Sequence, residues 1–281
     1  MSAPPTATPA SLRNDLRRIA LLGLCGFVLL LPIVLLLQRP PKHPQVTLIG
    51  GGDSLSVLLE GAGGGRVLVG GGAAQSDVPA ALGRQLWPWD RRIDLLLVAD
   101  TRDLPGATEL VRRGAVRAVA TVGLTEQRTA AAGLATLRDV CAARKVALRA
   151  IEEAERIAIG RDPQLALTVT PPETPDLTPR LRLQAGALDA PIVVGAATGE
   201  GPALGAILLR ATQESYWIAA GTEARLIAAP APPGGVTVPA LAGRYLLLLG
   251  AGERATLIVD ERGLRLRGAT FVSLDAPAPP R

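Results

Sequence analysis

The nine residues Ala99-Asp100-Thr101-Arg102-Asp103-Leu104-Pro105-Gly106-Ala107 follow the apolar run Ile93 to Val98 and hold two carboxylates three positions apart. With Asp53 from an earlier turn, these acids are the side chains best suited by type to chemistry: they could share general acid and base work, or hold a hard cation such as Mg²⁺ or Mn²⁺. An apolar run that ends in small and polar residues reads as a buried strand feeding a loop. Ligands of α/β layer folds collect beyond the carboxyl ends of such strands. A plainer reading stands beside this one. Asp103 shortly before Pro105 is what a helix N-terminus requires, and Arg102 can pair with a neighbouring acid at the surface.

Other candidates lack a partner or a context. Ser54 and Ser56 would need a base to act as nucleophiles, but the chain has one histidine, His43, and two lysines, Lys42 and Lys145. Gly250-Ala251-Gly252-Glu253-Arg254-Ala255 fits G-x-G-x-x-A, yet the β-branched run that follows cannot supply the helix N-terminus a dinucleotide phosphate needs; it reads as a hairpin turn. Trp87 and Trp89 flank Pro88, and Tyr216-Trp217 opens an apolar run; packing explains them better than base stacking. Cys25 and Cys141 lie in an apolar run and an expected helix, so no disulfide framework or Cys-x-x-Cys metal pair is present.

The elements that must position these residues follow from composition and pattern. The 281 residues are 48% hydrophobic and 20% charged, with 31 glycines, 24 prolines and only 2% aromatics. A core of Ala, Leu, Val and Ile with many tight turns follows. Five bases (Arg13, Arg17, Arg18, Arg39 and Lys42) stand against Asp15 in the first 43 residues, so most of the net +5 is N-terminal and the rest of the chain is close to neutral. A nucleic-acid binder needs a concentrated basic face, which this balance does not supply.

Residues 1–18 read as a disordered basic tail. Ile19 to Leu37 is uncharged and about as long as a helix crossing a ~30 Å hydrocarbon core; residues 19–38 are expected to form an uncleaved transmembrane helix. The larger number of basic residues on its N-terminal side places the N-terminus in the cytoplasm and the large domain outside, in a single-pass cell-membrane protein. A stiff, Pro-rich linker at 39–45 leads into a domain spanning 46–275, with a tail at 276–281.

Within the domain, Val46 to Ile49, Ser54 to Glu60 and Arg66 to Gly70 read as strands separated by glycine turns. A helix over Val78 to Leu86 and the strand at Ile93 come next. A helix over Gly106 to Arg113, a strand over Val116 to Val122, a helix over Glu126 to Arg144 and a strand over Val146 to Ala150 continue the alternation. Beyond it strands dominate: Arg156 to Ile159, Leu165 to Val169, Pro191 to Val194, Ala206 to Ala211, Ser215 to Ala220, Ala224 to Ala228, Tyr245 to Leu249, Ala255 to Val259 and Gly268 to Leu274. The pattern predicts two sheets sandwiched between helices.

The order VTLIGGGDSLSVLLE, GRVLVGGG, LGRQLWPWDRRIDLLLVADTRDLPGATELVRRGAVRAV, IAIGRDPQLALTVTPP and AILLRATQESYWIAAGT resembles the metallo-β-lactamase-like domain at the C-terminus of ComEC-type DNA-uptake competence proteins. The resemblance covers about Val46 to Ala228 and includes a Gly-Asp turn at Gly52-Asp53. It implies an α/β fold of the αββα sandwich type, here preceded by one transmembrane helix.

The family's metal loop, H-x-H-x-D-H, falls on Ala99, Asp100, Thr101, Arg102, Asp103 and Leu104. Only Asp103, and the glycine at Gly106, match. The aspartate expected after the early strand falls at Gly70 and that of a later strand at Thr222. Alanine and leucine supply no lone pair to zinc, and a carboxylate set would suit Mg²⁺ or Mn²⁺ instead. The resemblance with its ligand positions emptied implies no catalytic residues, no cofactor and no metal. The role that remains is binding or assembly, with the membrane through Ile19 to Leu37, an unidentified protein and, by family, nucleic acid as partners. The competing expectation is a divergent hydrolase of the phosphodiesterase or nuclease type, using Asp53, Asp100 and Asp103 with a hard metal ion.

Overall fold

A computed structural model of the chain describes residues 43–72, 78–86, 92–124, 128–160, 165–174, 178–185, 188–194, 205–210, 212–221, 224, 226–232, 245–260 and 263–266. The run Ile19 to Leu37, Trp87, Trp89, Thr222 and the strand expected over Gly268 to Leu274 lie outside them. Among the described residues no helix is long and apolar enough to cross a membrane.

The glycine-punctuated apolar runs form strands β1 (Gln45–Gly50), β2 (Leu55–Glu60) and β3 (Arg66–Val69), an antiparallel meander. Next come α1 (Val78–Gln85), β4 (Leu95–Val98), α2 (Leu104–Arg112), β5 (Ala118–Val122), α3 (Arg128–Arg144) and β6 (Ala147–Ile151). Strands β3 to β6 pair in parallel, as strands separated by helices must when each crossover returns to the same edge.

The chain then builds a second sheet. Strands β7 (Glu155–Ala158), β8 (Leu165–Thr170), β9 (Arg180–Ala185) and β10 (Leu188–Val193) are antiparallel. Strands β11 (Gly205–Leu208), β12 (Leu226–Pro230) and β13 (Tyr245–Leu249) continue it in parallel, with α4 (Gln213–Gly221) between β11 and β12. Finally β14 (Arg254–Asp260) and β15 (Gly263–Leu266) return to the first sheet beside β1. The two sheets run β15-β14-β1-β2-β3-β4-β5-β6 and β13-β12-β11-β10-β9-β8-β7.

Alternation along the strands sorts side chains into layers, because successive residues face opposite sides of a sheet. On β2, Val57 and Leu59 join Leu167, Leu183 and Ile207 in the core between the sheets, while Leu58 faces the helices with Leu68, Leu110 and Leu137. A third core places Tyr216 of α4 against Leu208 and Ile227 of the second sheet. The order is helices, sheet, sheet, helix, the two-sheet sandwich the pattern predicts.

Three expectations need correction. Ser215 to Ala220 is helix rather than strand: the Ser215 amide donates to Thr212 Oγ1 at 3.1 Å, an N-terminal cap. The buried Tyr216 hydroxyl donates to the Pro230 carbonyl at 2.7 Å, which fixes the helix on the sheet and outweighs the β propensity of its apolar run. Gly250 to Glu253 is not a hairpin turn, because β13 and β14 belong to different sheets. It is a crossing turn tied to β1 by Gly50 N to Glu253 O and Gly252 N to Gly50 O, both 2.9 Å. Strand β9 follows the proline-rich loop directly and was not foreseen; its exposed and half-buried arginines, Arg180 and Arg182, conceal an alternation whose inward residues are Leu181 and Leu183.

Candidate functional site

The site lies where the β1–β2 turn, the loop after β4 and the end of β11 meet. Backbone contacts bring the two sheets together there: Leu55 N donates to Leu209 O at 2.6 Å, and Ser54 forms an isolated antiparallel bridge with Arg210. Leu209 is buried in the inter-sheet core, and the alternation turns the next side chain, Arg210, toward the loops of the first sheet.

The loop after β4 is shaped locally. Asp100 accepts from the Arg102 amide at 2.9 Å and caps a short 3₁₀ turn, Thr101–Asp103, that leads directly into α2. Asp103 stands at the N-terminal boundary of α2 with Pro105 behind it, but its side chain makes no capping hydrogen bond. The expected cap is therefore corrected: the helix starts at Leu104, two residues before the expected Gly106, and the Asp103 carboxylate points elsewhere. Gly106 allows the start of α2 to lie against the backbone carbonyls of Gly71 and Gly72, where any Cβ would collide. Gly106 N also donates to Gly72 O at 3.2 Å.

Asp53, Asp100 and Asp103 converge on one guanidinium. Arg210 Nε donates to Asp100 Oδ2 at 3.1 Å, Nη1 to Asp53 Oδ2 at 3.2 Å and Nη2 to Asp103 Oδ1 at 3.4 Å. The Arg210 side chain is 6% exposed and that of Asp103 4%, whereas Asp53 is 56% exposed at the mouth. Each nitrogen of the planar fork thus meets a different carboxylate, a geometry lysine cannot reproduce. Arg102, the neighbour expected to pair with these acids, lends only its backbone; the partner of all three is an arginine more than a hundred residues later in the chain.

Three acids around one cation leave an excess of negative charge. Burial pushes the Asp103 carboxyl up to about 7, against the opposing pull of Arg210 and of a hydrogen bond from the Gly72 backbone, while Asp100 and Asp53 push it further up. The contact to Arg210 is the longest of the three, and desolvation outweighs it. Behind Asp103, Gly70 has φ +80, and a Cβ there would stand 3.4 Å from Asp103 Oδ2 and 3.7 Å from Ser56 Oγ. The left-handed backbone, rather than space beside the carboxylate, is what favours glycine there. The hydroxyls of Ser54 and Ser56 are buried and have no hydrogen-bond partner among the described residues, so neither has the adjacent base a nucleophile requires.

No protein-family model matches the chain, and no curated protein matches it in sequence. Solved structures do. The metallo-β-lactamase fold protein YhfI from Bacillus subtilis superposes with a TM-score of 0.50 at 13% identity, covering 76% of this chain and all of its own. The chain has the metallo-β-lactamase fold. Igni18, a metallo hydrolase from the archaeon Ignicoccus hospitalis, is similar with a TM-score of 0.43 at 12% identity, over 75% of this chain and 98% of its own.

Metallo-β-lactamase folds invite a test for metal. Zinc sites are built from imidazole, thiolate and carboxylate, and the loop after β4 offers Ala99, Thr101 and Leu104 beside its two aspartates. Ala99 is buried in the inter-sheet core and Leu104 in the core beneath the helices. Among the described residues no three His, Cys, Asp or Glu side chains are placed to hold a metal. The three carboxylates that remain already face a cation. A divalent ion brought within about 4 Å of the guanidinium would meet a repulsion on the order of 8 kcal/mol at an effective dielectric of about 20. The residues present do not fit a metal centre of this fold.

Arg210 is the residue that sequence reading missed. A signal existed: it is the charged end of an otherwise apolar strand run, AILLR, with no acid in the run, whereas the strand-end charges Glu60 and Arg66 have each other six residues apart.

Proposed function

We propose that the chain is a membrane-anchored, non-hydrolytic metallo-β-lactamase-fold domain that acts by binding or assembly in an envelope complex. The observation that carries this reading is the Arg210 guanidinium bonded to Asp53, Asp100 and Asp103, the acids a hydrolase would need free. The uncharged run Ile19 to Leu37 supports the anchor, with the large domain extracytoplasmic. The resemblance to the C-terminal domain of ComEC-type proteins, with its metal-ligand motif lost, supports a place near DNA uptake. The exposed carboxylate at the mouth disfavours direct phosphate binding there.

The test uses the full chain purified in detergent. Substoichiometric zinc, manganese and magnesium by mass spectrometry, with no turnover of DNA or bis-aryl phosphodiesters when those ions are added, are expected. Stoichiometric metal with turnover would overturn the reading. Crosslinking in native membranes is expected to recover a recurring protein neighbour. The convergence of three carboxylates favours one alternative, a hydrolase using a hard metal; its signature is phosphodiesterase activity abolished in Asp103→Ala while the melting curve is kept.

A further inference from the structure

We propose that Arg210 is the resident cation of this fold, closing the junction of the two sheets in place of a bound metal ion. The inference rests on the reading that the site holds no metal. It goes beyond that reading by giving the arginine a task the domain cannot do without.

Three chain segments meet at the guanidinium, bringing four charged residues together. Asp53 comes from the β1–β2 turn, Asp100 and Asp103 from the two ends of the 3₁₀ turn after β4, and Arg210 from the end of β11 in the opposite sheet. Sequence separations of 107 to 157 residues are spanned by these three ion pairs. Without the cation, the acids would repel one another, and the two least exposed, Asp100 and Asp103, would do so largely out of water. Without the acids, a guanidinium 6% exposed would be a buried unpaired charge. Each half is unstable alone, so the junction stays shut only when both are present.

Metal centres hold loops by the same logic, a central cation satisfying anionic groups from separate segments. A guanidinium does it with a single positive charge and five N–H donors fixed in a plane. Its bonds are directional where a metal's are compact. Backbone contacts lock the arginine's approach: the Ser54–Arg210 bridge and the 2.6 Å bond from Leu55 N to Leu209 O set its Cα beside the β1–β2 turn. The cation is thus supplied by the chain itself, and the junction forms without a metal supply.

The test follows the intrinsic tryptophan melt of the full chain in detergent for wild type, Arg210→Met, Arg210→Lys and the combination Arg210→Met with Asp53→Asn, Asp100→Asn and Asp103→Asn. Arg210→Met is expected to melt roughly 6–20 °C lower, the shift that breaking a buried ion pair produces in a domain of this size. Arg210→Lys should recover less than half of that loss, since one ammonium cannot face three carboxylates. The combined variant, with both signs of charge removed, should regain most of it. An Arg210→Met protein that melts with wild type, or a combined variant no better than Arg210→Met, overturns the proposal. If Arg210→Met does not fold at all, a folded combined variant supports the proposal and an unfolded one overturns it. Chelation separates the two levels of inference. Wild type dialysed against EDTA should melt unchanged; a fall matching that of Arg210→Met would mean a metal is the cation and would overturn the metal-free reading itself. A chelator-insensitive wild type with a harmless Arg210→Met overturns this inference alone.

Discussion

Two arginines are buried among the described residues, at 10% and 6% side-chain exposure, and they are solvated by protein in different ways. Arg66 sits directly across the β2–β3 ladder from Glu60, its Nε 2.9 Å from Glu60 Oε1, and its backbone amide also donates to Asp94 at 3.0 Å. That pair is local, joined by a glycine-rich turn. Arg210 instead faces three acids brought from distant segments, and one of them, Asp103, is held partly protonated near neutral pH by its burial. The local pair reinforces a hairpin that pairing already specifies. The distant cluster joins the two sheets beside the backbone contacts of Ser54 and Leu55 with Arg210 and Leu209. Charge lost at the hairpin leaves the strand pairing in place, whereas charge lost at Arg210 leaves the sheet junction without its cation.

Beyond the Arg210 variants, the largest expected effect tests the local pair. Arg66→Met leaves Glu60 buried without its guanidinium and should destabilise by about 3–5 kcal/mol, with Glu60→Gln in the same chain recovering most of it. Failure of the second change to rescue would show that Arg66 acts through contacts other than Glu60, and the contrast with Arg210 would weaken.

A second prediction sharpens the difference through pH. Asp103 has a folded-state value of about 7 against an ordinary 3.8. Because the folded value is the higher one, the stability linked to it is complete below about pH 4 and is lost as pH rises through 7. The loss is on the order of 4 kcal/mol. Melts of wild type between pH 4 and pH 8 should therefore fall with rising pH, and Asp103→Asn should flatten the slope. An equal slope in both would remove Asp103 as its source.

The smallest effect is expected at Glu109, whose carboxyl lies below its usual range because Arg113 and Arg112 donate to it. Those pairs are on an exposed face of α2, at 2.8 Å each. Solvent screening makes such pairs nearly neutral, so Glu109→Gln should leave the melt where it is within error. A large loss there would mean that short distance alone, without burial, is enough, against the reading of both arginines.

Much of the fold was legible in the sequence because its signals are local. Glycine turns bounding Val46 to Gly70, and the strand–helix alternation from Ile93 to Ala150, are properties of adjacent residues. They recover β1 to β6 with shifts of one or two residues at the ends. Asp100 and Asp103 were legible as candidates for the same reason, since a strand end with acids is visible in a dozen residues. What failed was set by distant partners. Tyr216-Trp217 reads as strand until the Pro230 carbonyl and the Thr212 cap make it a helix, with Tyr216 inside and Trp217 55% exposed.

The opening loop shows the same division. Its residue types alone determined that it ends a strand, leads into a helix near Pro105 and lacks the imidazole and thiolate donors of a zinc centre. Only the tertiary structure decided what the carboxylates face. Asp53, Asp100 and Asp103 are acids of three possible uses until β11 packs beside β12 in the second sheet and carries Arg210 to them. Periodicity and turn chemistry are written in neighbouring residues, whereas the partner of a buried charge is fixed by how whole sheets stack.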